Sequence, residues 1–250
     1  MPYHNIVYEK KNHIGYITLN RPDGGNSIDG AMANDLEKVV RGINDDEDVR
    51  VVIITGSGNI FSTGRQEPAP EDILAASAAS SAIAELKLPV IASVNGDAIG
   101  AGLEVALACD IRLAVSGARL GLTQVSNGFI PSGGGTQRLP RIVGRGKALE
   151  LILTANVFDA EEAYRIGLVN SILPVAALNT EVENLARKLA AKGPISAMYA
   201  KEAINKGMDM SLSQGLRLEA DLSFLLHTTN DRAEGISAFL GKRTPEFRGE

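Results

Sequence analysis

Two glycine-containing segments of this chain have the residue types of an oxyanion-binding framework. One is Phe61-Ser62-Thr63-Gly64-Arg65, the other is the segment 95–104 (NGDAIGAGLE), and each follows an apolar run typical of a β-strand. Small residues at the end of a strand let backbone N–H groups approach a ligand oxygen closely. Two such groups on one carbonyl oxygen would stabilise an enolate or a tetrahedral oxyanion. The pattern therefore predicts acyl chemistry.

Glu104 is the side chain in these segments that is best suited to move a proton. It begins the apolar stretch 104–108, where burial would make its carboxylate a usable acid or base. A buried glutamate with a structural partner is the alternative interpretation. Asp97 is either a second acid near the end of the strand or a hydrogen-bonded turn aspartate.

The order of motifs along the chain resembles that of the enoyl-CoA hydratase/isomerase (crotonase) family. Leu19-Asn20-Arg21-Pro22 with Asn26-Ser27 is similar to the LNRP…NA opening of the family. Residues 121–138 (GLTQVSNGFIPSGGGTQR) are similar to its central segment, and residues 163–169 and 231–239 to its AxxxGLV and EGxxAF elements. The blocks occur in the family order from about residue 5 to residue 245. The resemblance implies an α/β fold with a ββα spiral core and a coenzyme A thioester as substrate.

The same resemblance implies which residues act on the thioester. It places the two oxyanion donors on the backbone N–H groups of Arg65 and Ala101, where the family often has a small residue and a glycine. Glu104 matches the first of the two catalytic glutamates of the hydratases, and Gln124 stands where the second would be. An amide can orient a water or a substrate oxygen, but it cannot exchange a proton near neutral pH. Glu104 is therefore expected to be the acid/base.

For coenzyme A, the resemblance points to a loop, to the end of a strand and to the C-terminus. The implied residues are Asn26, Ser27, Thr63, Gly64, Phe239 and Lys242. Phe239 and Lys242 would reach the nucleotide that a neighbouring subunit binds, although a capped surface helix end explains Lys242 equally well. Ser132, with Thr123 and Asn127, either hydrogen-bonds around the acyl group or serves only the loop.

Composition and charge exclude several classes of protein. The net charge of −5, the isoelectric point near 5.4 and the lack of a basic stripe argue against nucleic-acid binding. The three histidines have no metal-ligand spacing, and a single cysteine, Cys109, excludes an intrachain disulfide and fits a reducing compartment. No apolar run approaches the roughly 20 residues that span a bilayer, and no secretory signal is visible. We therefore expect a cytoplasmic protein without a metal, and without a cofactor apart from the coenzyme A of its substrate.

Alternating strands and helices must position these residues. Apolar runs predict strands at 6–8, 14–19, 51–54, 89–94 and 111–115, and helical spacing predicts helices at 30–42 and 71–87. After about residue 140 the strand signals nearly vanish, and helices are predicted at 149–154, 160–166, 182–191, 196–206 and 212–227. We predict an α/β core of residues 1–190 and a C-terminal helical oligomerisation region of residues 191–250.

Glu104, Gln124 and the two implied oxyanion donors together favour the addition or removal of water at a 2-enoyl-CoA. The alternatives are isomerisation, decarboxylation or C–C hydrolysis on the same scaffold, and a catalytically silent paralogue that binds acyl-CoA. A surface helix rarely exposes as many large apolar residues as the C-terminal segment contains. These residues are Leu216, Leu222, Phe224, Leu225 and Leu226. With the resemblance, they predict a homo-oligomer, either a trimer or a dimer of trimers.

Overall fold

The computed structural model of the chain describes residues 3–63 and 70–250. The strands in these ranges are β1 (Ile6–Lys11), β2 (Ile14–Leu19), β3 (Val51–Gly56), β4 (Ile60–Ser62), β5 (Val90–Val94), β6 (Asp97–Ile99), β7 (Ile111–Val115), β8 (Arg119–Gly121), β9 (Phe158–Asp159) and β10 (Ser171–Leu173). The helices are α1 (Gly30–Asn44), α2 (Pro70–Ala84), α3 (Ala101–Ala108), α4 (Gly135–Val143), α5 (Arg145–Thr154), α6 (Ala160–Arg165), α7 (Val175–Ala190), α8 (Pro194–Gly207), α9 (Leu212–Leu226) and α10 (Asn230–Leu240).

Successive ββα units wind into a spiral that builds two sheets. Within the described ranges the larger sheet has the order β1-β2-β3-β5-β7-β10, and the smaller one has the order β4-β6-β8-β9. The pairs β3–β5 and β5–β7 are parallel, and so are β4–β6 and β6–β8. Each turn of the spiral therefore adds one strand to each sheet, and the chain crosses from one sheet to the other just before α2 and α3.

Burial explains why the central strands form. Strands β3 and β5 are apolar and almost entirely buried, as expected for parallel strands that are covered on both faces. Helix α3 is buried along its whole length after Ala101, and a helix that is apolar on all sides belongs in a protein interior. The Arg112 guanidinium closes the buried C-terminal end of α3, because it donates to the carbonyl oxygens of Ala106, Cys109 and Leu168.

The two segments of the predicted oxyanion framework touch through their backbones. A Cβ atom on Gly102 of α3 would collide with the carbonyl oxygen of Ser62 at the end of β4. The Asn95 amide ties the β5–β6 connection to the β3–β4 connection, since its Nδ2 donates to the carbonyl oxygens of Gly56 and Gly58 at 2.9 and 3.0 Å. The spiral thus brings the end of β4 against the start of α3.

The prediction of an α/β fold with a ββα spiral core and a helical C-terminus is confirmed, but individual elements differ. Strands β4, β6 and β8 of the smaller sheet and helices α4 and α10 lie where the sequence analysis predicted no element. Two short strands, β9 and β10, lie in the region where strand signals nearly vanish, because each adds only two or three residues to an existing sheet. The helix predicted to begin at 182 begins at Val175, since Pro174 can precede a helix but not continue one. Leu222 is buried within the chain and Leu226 is half-buried, so fewer residues of α9 face solvent than predicted.

The C-terminal helices α8, α9 and α10 are tied to the rest of the chain by a few polar contacts. Lys201 of α8 forms an ion pair with Asp110 at 2.7 Å, and Arg50 donates to the carbonyl oxygen of Phe247 at 2.8 Å. No helix in the described ranges is long and apolar enough to cross a membrane. The boundary at residue 190 and the role of residues 191–250 in oligomerisation stay predictions.

We expect Gly102→Ala to destabilise the protein by about 1–3 kcal/mol, the usual cost of an overpacked interior. The added methyl would meet a strand backbone that cannot move without separating α3 from β4. Gly146→Ala is the matched control, because a Cβ there meets nothing within 4 Å, and it should be neutral or stabilising by up to about 1 kcal/mol. Urea unfolding followed by circular dichroism measures both. Equal free energies of unfolding for the two variants would contradict the close contact.

Candidate active site

Helix α3 begins at Ala101, directly after a glycine with positive φ. Gly100, with φ 58° and ψ −123°, turns the chain into the helix, and its N–H donates to the carbonyl oxygen of Gly121 at 2.8 Å. The first N–H groups of a helix have no partner within the helix, and their dipoles favour a negatively charged oxygen. The Ala101 N–H therefore has the position expected for one oxyanion donor. Gly64 and Arg65, which would supply the other half, lie outside the described residues.

One turn further along α3, Glu104 is fully buried. Its Oε1 accepts hydrogen bonds from the backbone N–H groups of Gly133 and Gly135 at 2.7 and 2.9 Å. Its Oε2 accepts a hydrogen bond from the Gln124 side-chain amide at 3.0 Å. Both carboxylate oxygens are thus held by neutral donors, which fixes the side chain in one orientation.

Burial raises the pKa of Glu104 above the usual value of a carboxyl, because the charged form is desolvated. The backbone N–H groups of Gly135, Gly133 and Ser132 act in the opposite direction, as does the positive charge of Arg138. Burial outweighs them. A carboxylate with a raised pKa is a stronger base than a solvent-exposed one, so Glu104 takes up a proton more readily than an exposed glutamate does.

Three consecutive glycines let the backbone reach Glu104. A Cβ on Gly133 would lie 2.8 Å from Ser80 Oγ, and one on Gly135 would lie 2.8 Å from Pro131 Cβ. Gly134 between them has φ +95°, a left-handed conformation that favours glycine. The sequence analysis assigned these glycines no role. Their succession immediately before a helix was the signal for a close backbone approach.

The sequence analysis also assigned no role to Arg138. It lies on the first turns of α4, and its Nη1 donates to the carbonyl oxygen of Gly133 at 2.7 Å. The Gly133 peptide groups therefore connect the two side chains, with the N–H on the Glu104 carboxylate and the C=O on the guanidinium. Arg138 is half-buried, and this desolvation lowers the pKa of its guanidinium.

The side-chain amide of Gln124 has an oxygen, Oε1, beside the Nε2 that donates to Glu104. The residue begins a 3-10 turn, Gln124–Asn127, and its Oε1 is a buried acceptor without a hydrogen-bond partner among the described residues. Because Nε2 already donates to Glu104, Oε1 offers an acceptor to a water or a substrate hydroxyl. Ser132 adjoins the same carboxylate through its backbone, which acts on the pKa of Glu104.

The predicted coenzyme A loop lies against the end of β4. The Thr63 N–H donates to the carbonyl oxygen of Gly25 at 2.8 Å, and the Ser62 hydroxyl donates to that of Asn26 at 2.8 Å. The Asn26 side chain is fully buried and bonds Ser57 and Ile60, and Ser27 is also buried. In this conformation Asn26 can therefore contribute to substrate binding only through its backbone.

A depression of about 650 Å³ borders this loop. Its charged lining residues are Arg21, Asp23 and Asp29, and Arg21 is already paired with Asp29 at 2.6 Å. Among the residues that line the depression, none offers an unpaired cation to a phosphate. Binding of the nucleotide part of coenzyme A would then need groups from elsewhere, as the resemblance implies for Phe239 and Lys242.

The two C-terminal residues that the resemblance implies for coenzyme A binding, Phe239 and Lys242, are exposed in the single chain. The exposed fraction of Phe239 is 83%. In the described part of the chain, no hydrogen bond connects either side chain to the elements around Glu104. The neighbouring Arg243 is held by Glu234 in a two-bond ion pair, which fixes the end of α10. The part of Phe239 and Lys242 in substrate binding stays a prediction.

Two other candidates are committed to structural contacts. Asp97 accepts hydrogen bonds from the backbone N–H and the side chain of Arg119, at 2.9 and 2.5 Å, which favours the turn interpretation over a second acid. Burial raises the pKa of the Cys109 thiol to about 12, so that thiol is neutral and buried. The described residues contain no group of three His, Cys, Asp or Glu that could hold a metal ion.

The sequence and the fold of this chain are similar to those of known enoyl-CoA hydratases. A sequence model described as enoyl-CoA hydratase/isomerase matches residues 9–250. The crotonyl-CoA hydratase of Syntrophomonas wolfei is 38% identical over 99% of both chains, and the (E)-benzylidenesuccinyl-CoA hydratase of Thauera aromatica is 38% identical over 98% of this chain and 99% of that protein. The crystal structure of an enoyl-CoA hydratase from Bacillus anthracis superimposes with a TM-score of 0.95 and 39% identity, over 99% of this chain and 100% of that one.

Proposed function

The chain belongs to the enoyl-CoA hydratase/isomerase family, and on that premise we propose that it adds water reversibly to a 2-enoyl-CoA thioester, with Glu104 as acid and base. The observation that carries the proposal is the buried Glu104 carboxylate one helical turn after the N–H of Ala101. A proton-transfer group and an oxyanion donor then lie on one rigid element. The names of two relatives, crotonyl-CoA hydratase and (E)-benzylidenesuccinyl-CoA hydratase, support a coenzyme A ester as the substrate class.

The thioester carbonyl oxygen would accept hydrogen bonds from the backbone N–H groups of Ala101 and Arg65. When water adds to C3, negative charge moves to this oxygen as an enolate, and preorganised donors stabilise that charge. The dipole of α3 has its positive end at the same point. The part of Arg65 in this arrangement comes from the resemblance.

Glu104 would move the proton in both directions. As the water oxygen bonds to C3, one water proton passes to the Glu104 carboxylate, and the same proton then passes to C2 of the enolate. The product has gained one hydroxyl at C3 and one hydrogen at C2, and Glu104 ends in its starting form. Its raised pKa favours both transfers, because a catalytic acid/base works best when its pKa lies near the operating pH.

Gln124 would orient the water. Its Nε2 is held by Glu104, so its buried Oε1 accepts a hydrogen bond from a water whose other proton points to the carboxylate. The amide cannot take that proton. The reaction would therefore depend on one carboxylate where the resemblance implies two.

Another enolate reaction is the runner-up, because Gln124 removes the second carboxylate. Isomerisation, decarboxylation and C–C hydrolysis require the oxyanion donors but not two carboxylates. A catalytically silent acyl-CoA-binding paralogue is a further alternative, which the buried and oriented Glu104 disfavours. Turnover measured with a panel of coenzyme A thioesters separates these activities.

We also propose that the active form is a trimer or a dimer of trimers. Large apolar side chains on α8, α9 and α10 remain exposed in the single chain. They include Ile204, Met208, Leu212, Leu216, Phe224, Leu225, Phe239 and Leu240. Such a surface marks an interaction site in a protein of this size. A neighbouring subunit would cover it and bring Phe239 and Lys242 to the nucleotide of the substrate.

We expect Glu104→Gln to lower kcat for hydration of crotonyl-CoA by at least about a hundredfold, the scale of a lost general acid/base. The amide is similar in shape but cannot carry the proton. Asp97→Asn is the matched control, since that carboxylate is paired with Arg119. Steady-state kinetics measures both variants, and binding of a coenzyme A ester should persist. Full activity of Glu104→Gln together with inactive Asp97→Asn would transfer the chemistry to Asp97.

We expect Gln124→Glu to give no gain in the hydration of crotonyl-CoA at pH 7. The new carboxylate would lie beside Glu104 Oε2 without the amide proton that now joins them, and repulsion would force one of the pair to stay protonated. Gln124→Met is the control, because it removes the hydrogen bond without adding charge. The two rates are compared on crotonyl-CoA. A strong gain for Gln124→Glu would show that the site is a weakened two-carboxylate hydratase.

We expect light scattering at micromolar concentration to give the mass of a trimer or a hexamer. Phe224→Asp and Leu216→Asp should reduce that mass, because a charge cannot be buried in an apolar interface at low cost. Arg217→Asp, on the exposed surface of the same helix, tests whether charge alone is responsible. A monomeric wild-type chain would remove both the assembly and the role of Phe239.

A further inference from the structure

The Glu104 carboxylate is oriented by the Gly133–Gly135 turn, and another residue fixes the position of that turn. The donors to Oε1 are the N–H groups of Gly133 and Gly135, which have no side chains to fix them. The turn carries a left-handed glycine, Gly134, and glycine has the largest conformational freedom of any residue. Something beyond the turn must therefore keep its N–H groups pointed at Glu104.

Arg138 is the side chain in that position. Its Nη1 donates to the Gly133 carbonyl oxygen at 2.7 Å, and a Cβ on Gly134 would collide with the same guanidinium. The turn thus lies between the carboxylate and the guanidinium. Within the described residues no carboxylate lies within ion-pair distance of Arg138, whereas Arg141 and Lys201 on the neighbouring surface are both paired.

Resting on the proposed role of Glu104, we propose that Arg138 is a positioning residue for the reaction. It holds the Gly133–Gly135 turn against the Glu104 carboxylate, and it places a positive charge behind that turn. Because Glu104 alone would accept and return the proton, the reaction depends on the charge around this one carboxylate.

Among the described residues, Arg138 is the charged group that acts on the pKa of Glu104. The groups that contact the carboxylate from the turn and from the 3-10 turn are neutral, namely Gly133, Gly135, Ser132 and Gln124, and Ser80 of α2 is neutral as well. The positive charge of Arg138 lowers the pKa of Glu104. Cys109 on the other side of Arg138 is a neutral thiol, because burial raises its pKa to about 12.

A cavity of about 1010 Å³ opens onto the far side of Arg138. Its other charged lining residues are Asp110, Arg112, Arg141, Lys201 and Asp209. Lys201 is paired with Asp110, and Arg141 is paired with Asp209 at 3.2 Å. Arg141 lies one turn after Arg138 on α4 and lines the same cavity, so it is a matched control that removes an equal charge.

The test compares Arg138→Gln with Arg141→Gln and with Arg138→Lys. In Arg138→Gln, kcat should fall by about tenfold to a hundredfold, the cost of a small misplacement in a catalytic site. The acid limb of its pH profile should move to higher pH, since loss of the positive charge raises the pKa of Glu104. Arg138→Lys should keep the acid limb of the pH profile near its wild-type position. Arg141→Gln should leave both kcat and the acid limb unchanged. Circular dichroism confirms that each variant is folded.

Two further measurements separate this inference from the proposed function. Carbon-13 NMR of glutamate-labelled protein, with Glu104→Gln to assign the signal, reports the titration of Glu104 without any turnover. Added guanidinium chloride at millimolar concentration should restore activity to Arg138→Ala through the cavity, and equal sodium chloride should not. An unmoved Glu104 titration in Arg138→Gln overturns the inference. An active Glu104→Gln overturns the proposed function, whatever the titration shows.

Discussion

The structure depends on keeping one carboxylate inside the protein. Transfer of an isolated carboxylate from water to an apolar interior is far too costly unless donors replace the lost hydration. Here backbone N–H groups of a glycine turn and one side-chain amide take that place around Glu104. The glycine turn and the orientation of Gln124 satisfy these two oxygens, while apolar packing on all sides buries α3 itself.

The spiral arrangement of the ββα units brings the elements around Glu104 together. Each ββα unit places one strand in each sheet, so the end of β4 and the start of α3 meet although they belong to different units. The same helix carries the Ala101 N–H and the Glu104 carboxylate, and their separation is fixed by helical geometry. Arg112 closes the opposite end of α3 with two hydrogen bonds to its carbonyl oxygens and a third to that of Leu168, so the helix is held at both ends.

Much of this arrangement could be predicted from the sequence, because local patterns encode it. The strand-then-glycine segments predicted β3 and β5, and the apolar run after Glu104 predicted the buried acid. The partners of Glu104 could not be predicted, since hydrogen bonds to Gly133 and Gly135 form only after distant segments meet. Leu222 was expected to be exposed for the same reason, because helical spacing alone does not reveal which face other helices cover. Gly102 lies in the segment 95–104 that the sequence analysis singled out. Its contact with Ser62 could not be predicted, because the two residues meet only in the folded chain.

The contact between Gly102 and Ser62 also bears on how the chain folds. The two residues are distant in sequence, so their meeting requires closure of a long loop, and such non-local contacts slow folding. Helices and the paired strands β1 and β2 can form from neighbouring residues before that closure. During refolding, circular dichroism should therefore recover ahead of enzymatic activity, since an intermediate can hold most of its secondary structure while the two sheets are still apart.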